Sequence, residues 1–459
     1  MPAFLAAALL CVFTSFAFAA NLDVSASYRM RALSYHNLNL NPLARNNHAF
    51  LANDARLGIA VRRIGLEKLG AGSDTTMDVG LLLHAVGVAG SSSTLESQPF
   101  DRIARHYPSS DLTPFIENAY LRVNRPWSYP VRGTFGRQNY RLASGLLLDD
   151  DGAGLTGIVL SGELPWWGLR AEGFVFSDRD ARFSAPNALE LFGLTVDLPT
   201  EGTWQLSQLF ERDRALQPVF GCSYVLPGET TRRECLVSKI VKSFSSLRYQ
   251  IHYGPMVFDG EAALQRGSAV PTGPSPAPNH ITYQGDAQVI RAKWKQRLYK
   301  TGEGIARLSL ARGSGDDPAT ATRDEAFFPA RGHRFQGLER NGFGEFFAAT
   351  PYDAFGGNYS TSSASGLRDG ASGIIVVGGG YTPPAYKGFV FDIDYFLFQA
   401  ERIRQGSRTL GMEWDFRIRY ALQDQFTISA TAALFKAGTA SNPTRGSSKK
   451  YALEVSGRF

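Results

Sequence analysis

The sequence lacks the long apolar runs of a helical membrane protein. After residue 20 no stretch holds about eighteen consecutive apolar residues, the length that a helix needs to cross a bilayer. The hydrophobic fraction is 44%, which is ordinary for a soluble protein. A helical membrane protein is therefore excluded. A transmembrane β-barrel is not, because only alternate residues of its strands face lipid.

Cysteine is also scarce, with three residues in the chain of 459, and Cys11 lies in the apolar N-terminal run. In an oxidising compartment Cys222 and Cys235 could form one disulfide within a loop. No His or Cys stands near them at the spacing of a metal site, so we expect neither a metal nor another cofactor.

Catalytic signatures are missing as well. The sequence has no G-x-S-x-G motif, P-loop, dinucleotide fingerprint or zinc spacing. His84 and His252 lie in alternating segments, where we interpret a lone histidine as a hydrogen-bonded wall residue. A catalytic base would need a nucleophile and a carboxylate beside it. We expect no enzyme activity. The net charge of +6 is too modest to indicate a nucleic-acid partner.

The N-terminus has the pattern of a secretory signal peptide. A short apolar run from Phe4 to Phe18 is followed by Ala17-Phe18-Ala19, an A-x-A cleavage site. The usual Lys or Arg before the run is absent. The pattern predicts a signal peptide over residues 1–19 and a single mature domain over residues 20–459.

A hairpin near the C-terminus indicates the fold. Apolar residues alternate with charged ones before the turn Gln423-Asp424-Gln425, and apolar residues alternate with Ser and Thr after it. The apolar row is Met412, Trp414, Phe416, Ile418 and Tyr420, and the charged row is Glu413, Asp415, Arg417 and Arg419. Period two excludes a helix. One apolar face and one charged face suit a strand between lipid and a wet lumen, although a two-sided soluble sheet remains an alternative for this hairpin alone.

The same alternation recurs along the mature chain. It predicts an all-β transmembrane antiparallel barrel of about 18 strands, with short periplasmic turns and long extracellular loops, in the bacterial outer membrane. The last strand ends on Phe459 and resembles the C-terminal sorting signal of such barrels. Aromatic residues at short turns suit an interfacial belt: Trp127, Tyr129, Trp166 and Trp167.

Several short motifs resemble the alginate-export family of outer-membrane barrels. One set is Glu117-Asn118-Ala119-Tyr120-Leu121-Arg122, Gly136-Arg137-Gln138 and Leu148-Asp149-Asp150 with Gly154 and Gly157. The other is Leu410-Gly411-Met412-Glu413-Trp414-Asp415, Tyr420, Asp424 and Ala433-Leu434-Phe435. The resemblance implies an eighteen-stranded barrel that secretes an acidic exopolysaccharide. The turn at Gln423–Gln425 is shorter than a periplasmic plug would require.

The alternation along each strand predicts which side chains face the lumen and line the pore. The candidate substrate path consists of Arg29, Arg31, Arg56, Arg62, Arg132, Arg248, Arg291, Lys293, Lys295, Arg297, Arg417 and Arg419. Guanidinium groups pair with carboxylates through two parallel hydrogen bonds, as a uronate polymer would require. Many of these arginines could instead brace the wall as ion pairs between strands. The run from Arg291 to Arg297 has no acidic residue in its own strand and is the strongest candidate.

Three functions follow as hypotheses. The first is a channel that secretes an anionic exopolysaccharide, and the second is a general or anion-selective solute porin. The third is a structural or adhesive barrel that acts through its loops. Expected partners are acidic polysaccharide or small anions, outer-membrane lipid, the barrel-assembly machinery and, for export, periplasmic export proteins. The long aromatic-bearing segment 313–370 is predicted to fold over or into the mouth and gate the pore.

Overall fold

The computed structural model describes residues 20–37, 47–67, 74–90, 113–150, 152, 154–164, 168–178, 189–214, 217–224, 233–272, 280–298, 302–317, 320, 322–330, 343–345, 371–403, 406–440 and 446–459, without the side chains of 48, 88, 90, 113, 178, 217–224, 233–238, 272 and 371. The predicted signal peptide, Trp166 and Trp167 lie outside these ranges, as does most of the segment 313–370.

Eighteen long strands form the wall. They are β1 Asn21–His36, β2 Asn47–Gly65, β3 Thr76–Gly90, β4 Thr113–Asn124, β5 Val131–Gln138, β6 Leu155–Leu164, β7 Leu169–Asp178, β8 Leu189–Pro199, β9 Thr203–Asp213, β10 Arg233–Tyr253, β11 Met256–Thr272, β12 Asp286–Leu298, β13 Gly302–Gly313, β14 Ile374–Thr382, β15 Phe389–Gln399, β16 Thr409–Leu422, β17 Phe426–Ala437 and β18 Ser447–Arg458.

The sheet closes on itself. Each wall strand pairs antiparallel with the next, and residues Ser27 to His36 of β1 pair with Lys449 to Arg458 of β18. The Phe459 amide extends the closure by donating to the Ala26 carbonyl at 2.8 Å. Closure leaves no unpaired edge, which is the condition for a sheet to sit in hydrocarbon. The predicted all-β barrel of 18 strands is confirmed.

The two faces of the wall differ in polarity. On β12, for example, Ile290, Trp294 and Leu298 are exposed on the outside. Arg291 and Lys293 lie on the other face, by alternation. Exposed large apolar side chains recur on the outer face of nearly every wall strand, a surface suited to lipid. Trp127 and Tyr129 are exposed at a short turn, as predicted for an aromatic belt.

Short and long connections lie at opposite ends of the barrel. Gly254 and Pro255 alone join β10 to β11, and Gly254 has a φ of 53°, which suits glycine in so tight a turn. Residues 314–373 join β13 to β14 at the other end. We call these the turn end and the loop end. In this architecture the turn end faces the periplasm.

In the described part of the chain, no helix is long and apolar enough to cross a membrane. The buried apolar residues lie mainly where loops enter the barrel, among them Leu146, Leu147, Phe244 and Phe327.

Candidate pore constriction

The loop between β5 and β6 enters the lumen over its described residues 139–150. Its short hairpin pairs Arg141–Leu142 with Leu148–Asp149. Leu147 and Leu148 are fully buried. The rings of Tyr140 and Phe174 pack together with their centroids 4.9 Å apart. An apolar run in a loop stays out of water only if the loop folds inward, so the barrel is partly filled at this level.

Three wall carboxylates hold this loop. Asn139 Nδ2 donates to Glu117 Oε1 at 2.6 Å, and the Ser144 amide donates to Glu261 Oε2 at 3.0 Å. The Tyr140 hydroxyl donates to Glu172 Oε1 at 2.8 Å. Burial and the neighbouring Glu172 raise the pKa of Tyr140, so its hydroxyl stays protonated and remains a donor. The carboxylates lie on β4, β11 and β7, so the loop spans much of the lumen.

The described residues 314–317, 320 and 322–330 of the β13–β14 connection form a second inward loop. Its Arg323–Asp324 segment pairs in parallel with Ile281–Tyr283. The Phe328 amide donates to Gln265 Oε1 at 2.7 Å, and the Ala330 amide donates to the Leu147 carbonyl at 3.1 Å. The two inward loops therefore touch and together narrow the pore.

Segment 343–345 of the same connection reaches another part of the wall. The Glu345 amide donates to Asp415 Oδ2 at 2.7 Å, and its carboxylate accepts from Arg417 and from Lys450. Phe343 lies under the guanidinium of Arg291, with the Arg291 Cζ 5.4 Å from the ring centroid. This segment links β12 to the wall at β16 and β18.

The strongest candidate residues lie side by side on the lumen face of β12. We call Arg291, Lys293, Lys295 and Arg297 the basic row; alternate residues are about 7 Å apart along the strand. Arg291 lies opposite Asp259, which is already bound by Arg248. In the described part of the chain, no carboxylate forms an ion pair with Lys293, Lys295 or Arg297. Glu303 lies opposite Arg297 in register, but no ion pair joins them.

Most of the other candidate residues are tied to wall partners. The ion pairs are Arg29–Asp54 at 2.7 Å, Arg56–Glu117 at 3.1 Å, Arg62–Asp23 at 2.8 Å, Arg248–Asp259 at 2.8 Å, Arg419–Asp392 at 2.7 Å and Arg417–Glu345. Arg132 Nε donates to Asn124 Oδ1 at 3.2 Å, and Arg31 lies opposite Glu454. All of them lie on the lumen face, and the charge of the six ion-paired arginines is largely neutralised by their carboxylate partners.

His84 lies between two carboxylates. Its Nε2 is 3.1 Å from Asp54 Oδ1, and its Nδ1 is 2.9 Å from Glu117 Oε2. All three side chains are buried. This is the hydrogen-bonded wall position that we expected for a lone inward histidine. His252 lies on the lumen face of β10, opposite Val257.

The cysteine prediction needs a correction. Cys222 and Cys235 do not share a loop, because the backbone places them on the paired strands Gln217–Tyr224 and β10. Ser223 and Glu234, adjacent to them in sequence, lie opposite each other. Both cysteine side chains lie outside the described residues, so the disulfide stays a prediction. No group of three His, Cys, Asp or Glu side chains in the described ranges could hold a metal.

Sequence reasoning missed the residues that hold the inward loops: Tyr140, Phe343 and Glu345. For Tyr140 a signal existed, because the apolar run Leu146-Leu147-Leu148 stands in a loop and predicts burial. For Glu345 no signal existed, since its partners Arg417 and Lys450 are distant in sequence.

Comparison with known sequences gives no match. No protein-family profile matches the chain. No curated protein matches it either.

Solved structures with the same fold do exist. Acinetobacter baumannii OccAB1 is 11% identical with a TM-score of 0.55, over 95% of this chain and 96% of that one. Pseudomonas aeruginosa OpdK, solved with vanillate, is 13% identical with a TM-score of 0.52, over 95% and 98%. Pseudomonas aeruginosa OccK2 (OpdF), solved with glucuronate, is 14% identical with a TM-score of 0.50, over 95% and 98%.

These TM-scores and coverages show a shared fold. The chain has the architecture of an outer-membrane porin, and its apolar outer face suits that membrane, so the predicted location is confirmed at the level of the fold. None of these comparisons supports the resemblance to the alginate-export family, which stays a prediction.

Proposed function

We propose that the protein is an anion-selective porin that takes up small organic carboxylates. The observation that carries this proposal is the basic row, because three of its four side chains form no ion pair with any described carboxylate. Side chains about 7 Å apart lie within the Debye length of about 8 Å at physiological salt, so their fields add. The low-dielectric wall focuses that field on a passing anion.

The constriction favours a small solute over a polymer. Two inward loops touch through Ala330 and Leu147, and a second contact places Phe343 against Arg291, the first residue of the basic row. A solute must pass these contacts. Two structural neighbours were solved with vanillate and with glucuronate, and both of these ligands carry one carboxylate. This agreement supports uptake of small anions more than secretion of an acidic polysaccharide, our first hypothesis.

Export remains the second candidate function, because a row of cations at regular spacing would also suit a uronate polymer. Binding at each site must then stay weak enough for the chain to move. The third hypothesis, a structural or adhesive barrel, predicts conductance near zero.

Liposome swelling with matched solutes separates these functions. Glucuronate should enter liposomes containing the protein faster than glucose, which has nearly the same size but no charge. A short oligouronate should enter slowly if the inward loops restrict the pore. Equal rates for glucuronate and glucose would contradict anion selectivity. Rapid passage of the oligouronate would favour export, and no swelling with either sugar would favour a closed structural barrel.

A further inference from the structure

The outer wall of the barrel carries an apolar groove that the channel function does not use. It has a volume of about 770 Å³ and crosses the outer face from β16 to β3 by way of the β18–β1 closure. Its floor is made largely of small side chains, and larger side chains form its sides. The floor includes Ala32, Ala49, Ala430 and Ala432, and the sides include Phe416 and Leu453.

Strand register places the part of this groove on β18, β1, β2 and β3 nearer the loop end, and on β16 the groove extends past mid-strand toward the turn end. Ala432 lies opposite Phe416 on one side and Tyr451 on the other, and Tyr451 lies opposite Ser34. In β1 and β18 these positions are within a few residues of the loop end. The part of the groove on β18 and β1 to β3 is thus at the level of the outer leaflet.

Basic side chains border the groove toward the loop end. Lys449 and His36 lie opposite each other, one outward position beyond Tyr451 and Ser34, which is a rise of about 7 Å. The rings of His36 and Tyr451 meet edge to face with their centroids 5.8 Å apart, and His36 Nε2 is 3.2 Å from Ser34 Oγ. Lys436 lies on the outer face of the neighbouring strand β17, one outward position nearer the loop end than Lys449. All three are exposed, and no carboxylate pairs with either lysine in the described part of the chain.

The physics of a bilayer says what such a groove can select. Lipid tails are as apolar as the wall, so no hydrophobic effect drives a tail into the groove, and only close packing favours it. A tail alone is therefore held weakly and without discrimination. A cationic rim at headgroup level adds attraction for anionic lipid, about fivefold in affinity for each lysine.

We propose that this surface binds a phosphorylated, multiply acylated lipid of the outer leaflet. One acyl chain lies over the alanine floor, and the phosphate meets Lys449 and Lys436, with His36 as a further hydrogen-bond donor. The site should therefore bind a lipid that has both an acyl chain and a phosphate. A neutral lipid lacks the phosphate that the lysines bind, and free phosphate lacks the acyl chain that packs in the groove.

Native mass spectrometry of the full mature protein in detergent tests this proposal. The probe is bisphosphorylated lipid A, compared with the same lipid after both phosphates are removed. Wild-type protein should retain the bisphosphorylated form well above the dephosphorylated one. The K436Q/K449Q variant should lose about 25-fold in affinity for the bisphosphorylated form. A430L/A432L, which fills the floor, should lose retention of both forms.

Matched controls are Lys239→Gln on β10 and Ala171→Leu on β7, both remote from the groove. Neither should change lipid retention, and heat-modifiable migration on gels should show that every variant is folded. Equal binding of the two lipids, or unchanged binding by A430L/A432L, would overturn the proposal. A disulfide-linked dimer formed by Ala430→Cys would overturn it too, since the groove would then be an interface between two copies. Channel selectivity is unaffected by any of these outcomes.

Discussion

Two parts of the lumen wall carry the same kinds of side chain and have opposite electrostatic character. On β1 to β4, Arg29, Arg56 and His84 surround the carboxylates of Asp54 and Glu117 in a buried network. On β12, no carboxylate among the described residues forms an ion pair with Lys293, Lys295 or Arg297. The arginines and lysines of both parts were predicted to line the pore. The difference shows that alternation decides which face a charge occupies, whereas strand register decides whether that charge is available to a solute.

Register explains the contrast directly. Arg29 lies opposite Asp54 in the β1–β2 pair, so an ion pair is built into the ladder. Lys293 lies between Val257 on β11 and Arg307 on β13, and Lys295 lies opposite Ile305. Arg307 itself is bound by Asp392 and Asp394. The sheet thus neutralises one group of cations and leaves the other positive.

The largest expected effect comes from breaking the buried network. Asp54→Asn removes the carboxylate charge that Arg29, Arg56 and His84 all contact. Removing one member of a buried ion pair lowers the free energy of unfolding by about 3 kcal/mol or more. We expect the free energy of unfolding, measured by guanidinium titration in lipid vesicles, to fall by that amount.

The matched control is Asp23→Asn, whose pair with Arg62 is half-exposed, with side-chain exposures of 52% and 56%. An exposed pair contributes less than about 1 kcal/mol, so this variant should unfold almost like the wild type. If Asp54→Asn were as stable as Asp23→Asn, the network would not brace the wall.

The sequence predicted the faces of the wall but not its connections. Period two was enough to count eighteen strands and to place the basic row in the lumen, because it depends only on neighbours in the chain. At Glu117 the alternation predicts the wrong face. A register shift between Leu82 and Leu83 leaves Glu117 as an extra residue of β4, and its side chain turns inward to His84, although strict alternation from Asn118 points it outward.

The inward loops show the same limit. Their anchors join residues that are distant in sequence, such as Glu345 and Lys450, and no local pattern encodes such a contact. Gating by segment 313–370 therefore stays a prediction, now with described contacts on which to test it.

A smaller effect is expected from loosening segment 343–345. Glu345→Gln removes the carboxylate that accepts from Arg417 and Lys450, and hydrogen bonds to charged groups each contribute about 1.5–3 kcal/mol. The segment should leave the lumen more often, so single-channel recordings should show a higher mean conductance and more frequent transitions. Glu163→Gln, in an exposed pair with Arg170, is the control and should match the wild type. An unchanged trace for Glu345→Gln would contradict gating by this segment.

The smallest expected effect is a pH dependence of the second inward loop. Burial raises the pKa of Asp316 and of Asp324, and neighbouring carboxylates add to both shifts. Asp317 and Glu325 oppose ionisation of these carboxyls, and Asp316 opposes that of Asp324, whereas Lys242 and Arg402 favour ionisation.

A carboxyl whose pKa is raised by docking stabilises the docked loop at low pH, and this contribution is lost as the pH rises through that pKa. The loop should dock more firmly at pH 5 than at pH 8, which limited proteolysis of the folded barrel would report as slower cleavage at pH 5 with a protease active at both. Asp324→Asn should reduce the difference. Faster cleavage at pH 5 than at pH 8 would contradict the assignment.

The reversal potential under a salt gradient tests the central claim most directly. Wild-type channels in a planar bilayer should prefer anions. Replacing Arg291, Lys293, Lys295 and Arg297 together by Gln should move the reversal potential to zero or to cation preference. A control that removes one matched pair, Asp23→Asn with Arg62→Gln, leaves the net lumen charge unchanged and should keep the wild-type value. If the quadruple variant kept wild-type anion selectivity, the basic row would be wall structure and not the selectivity element.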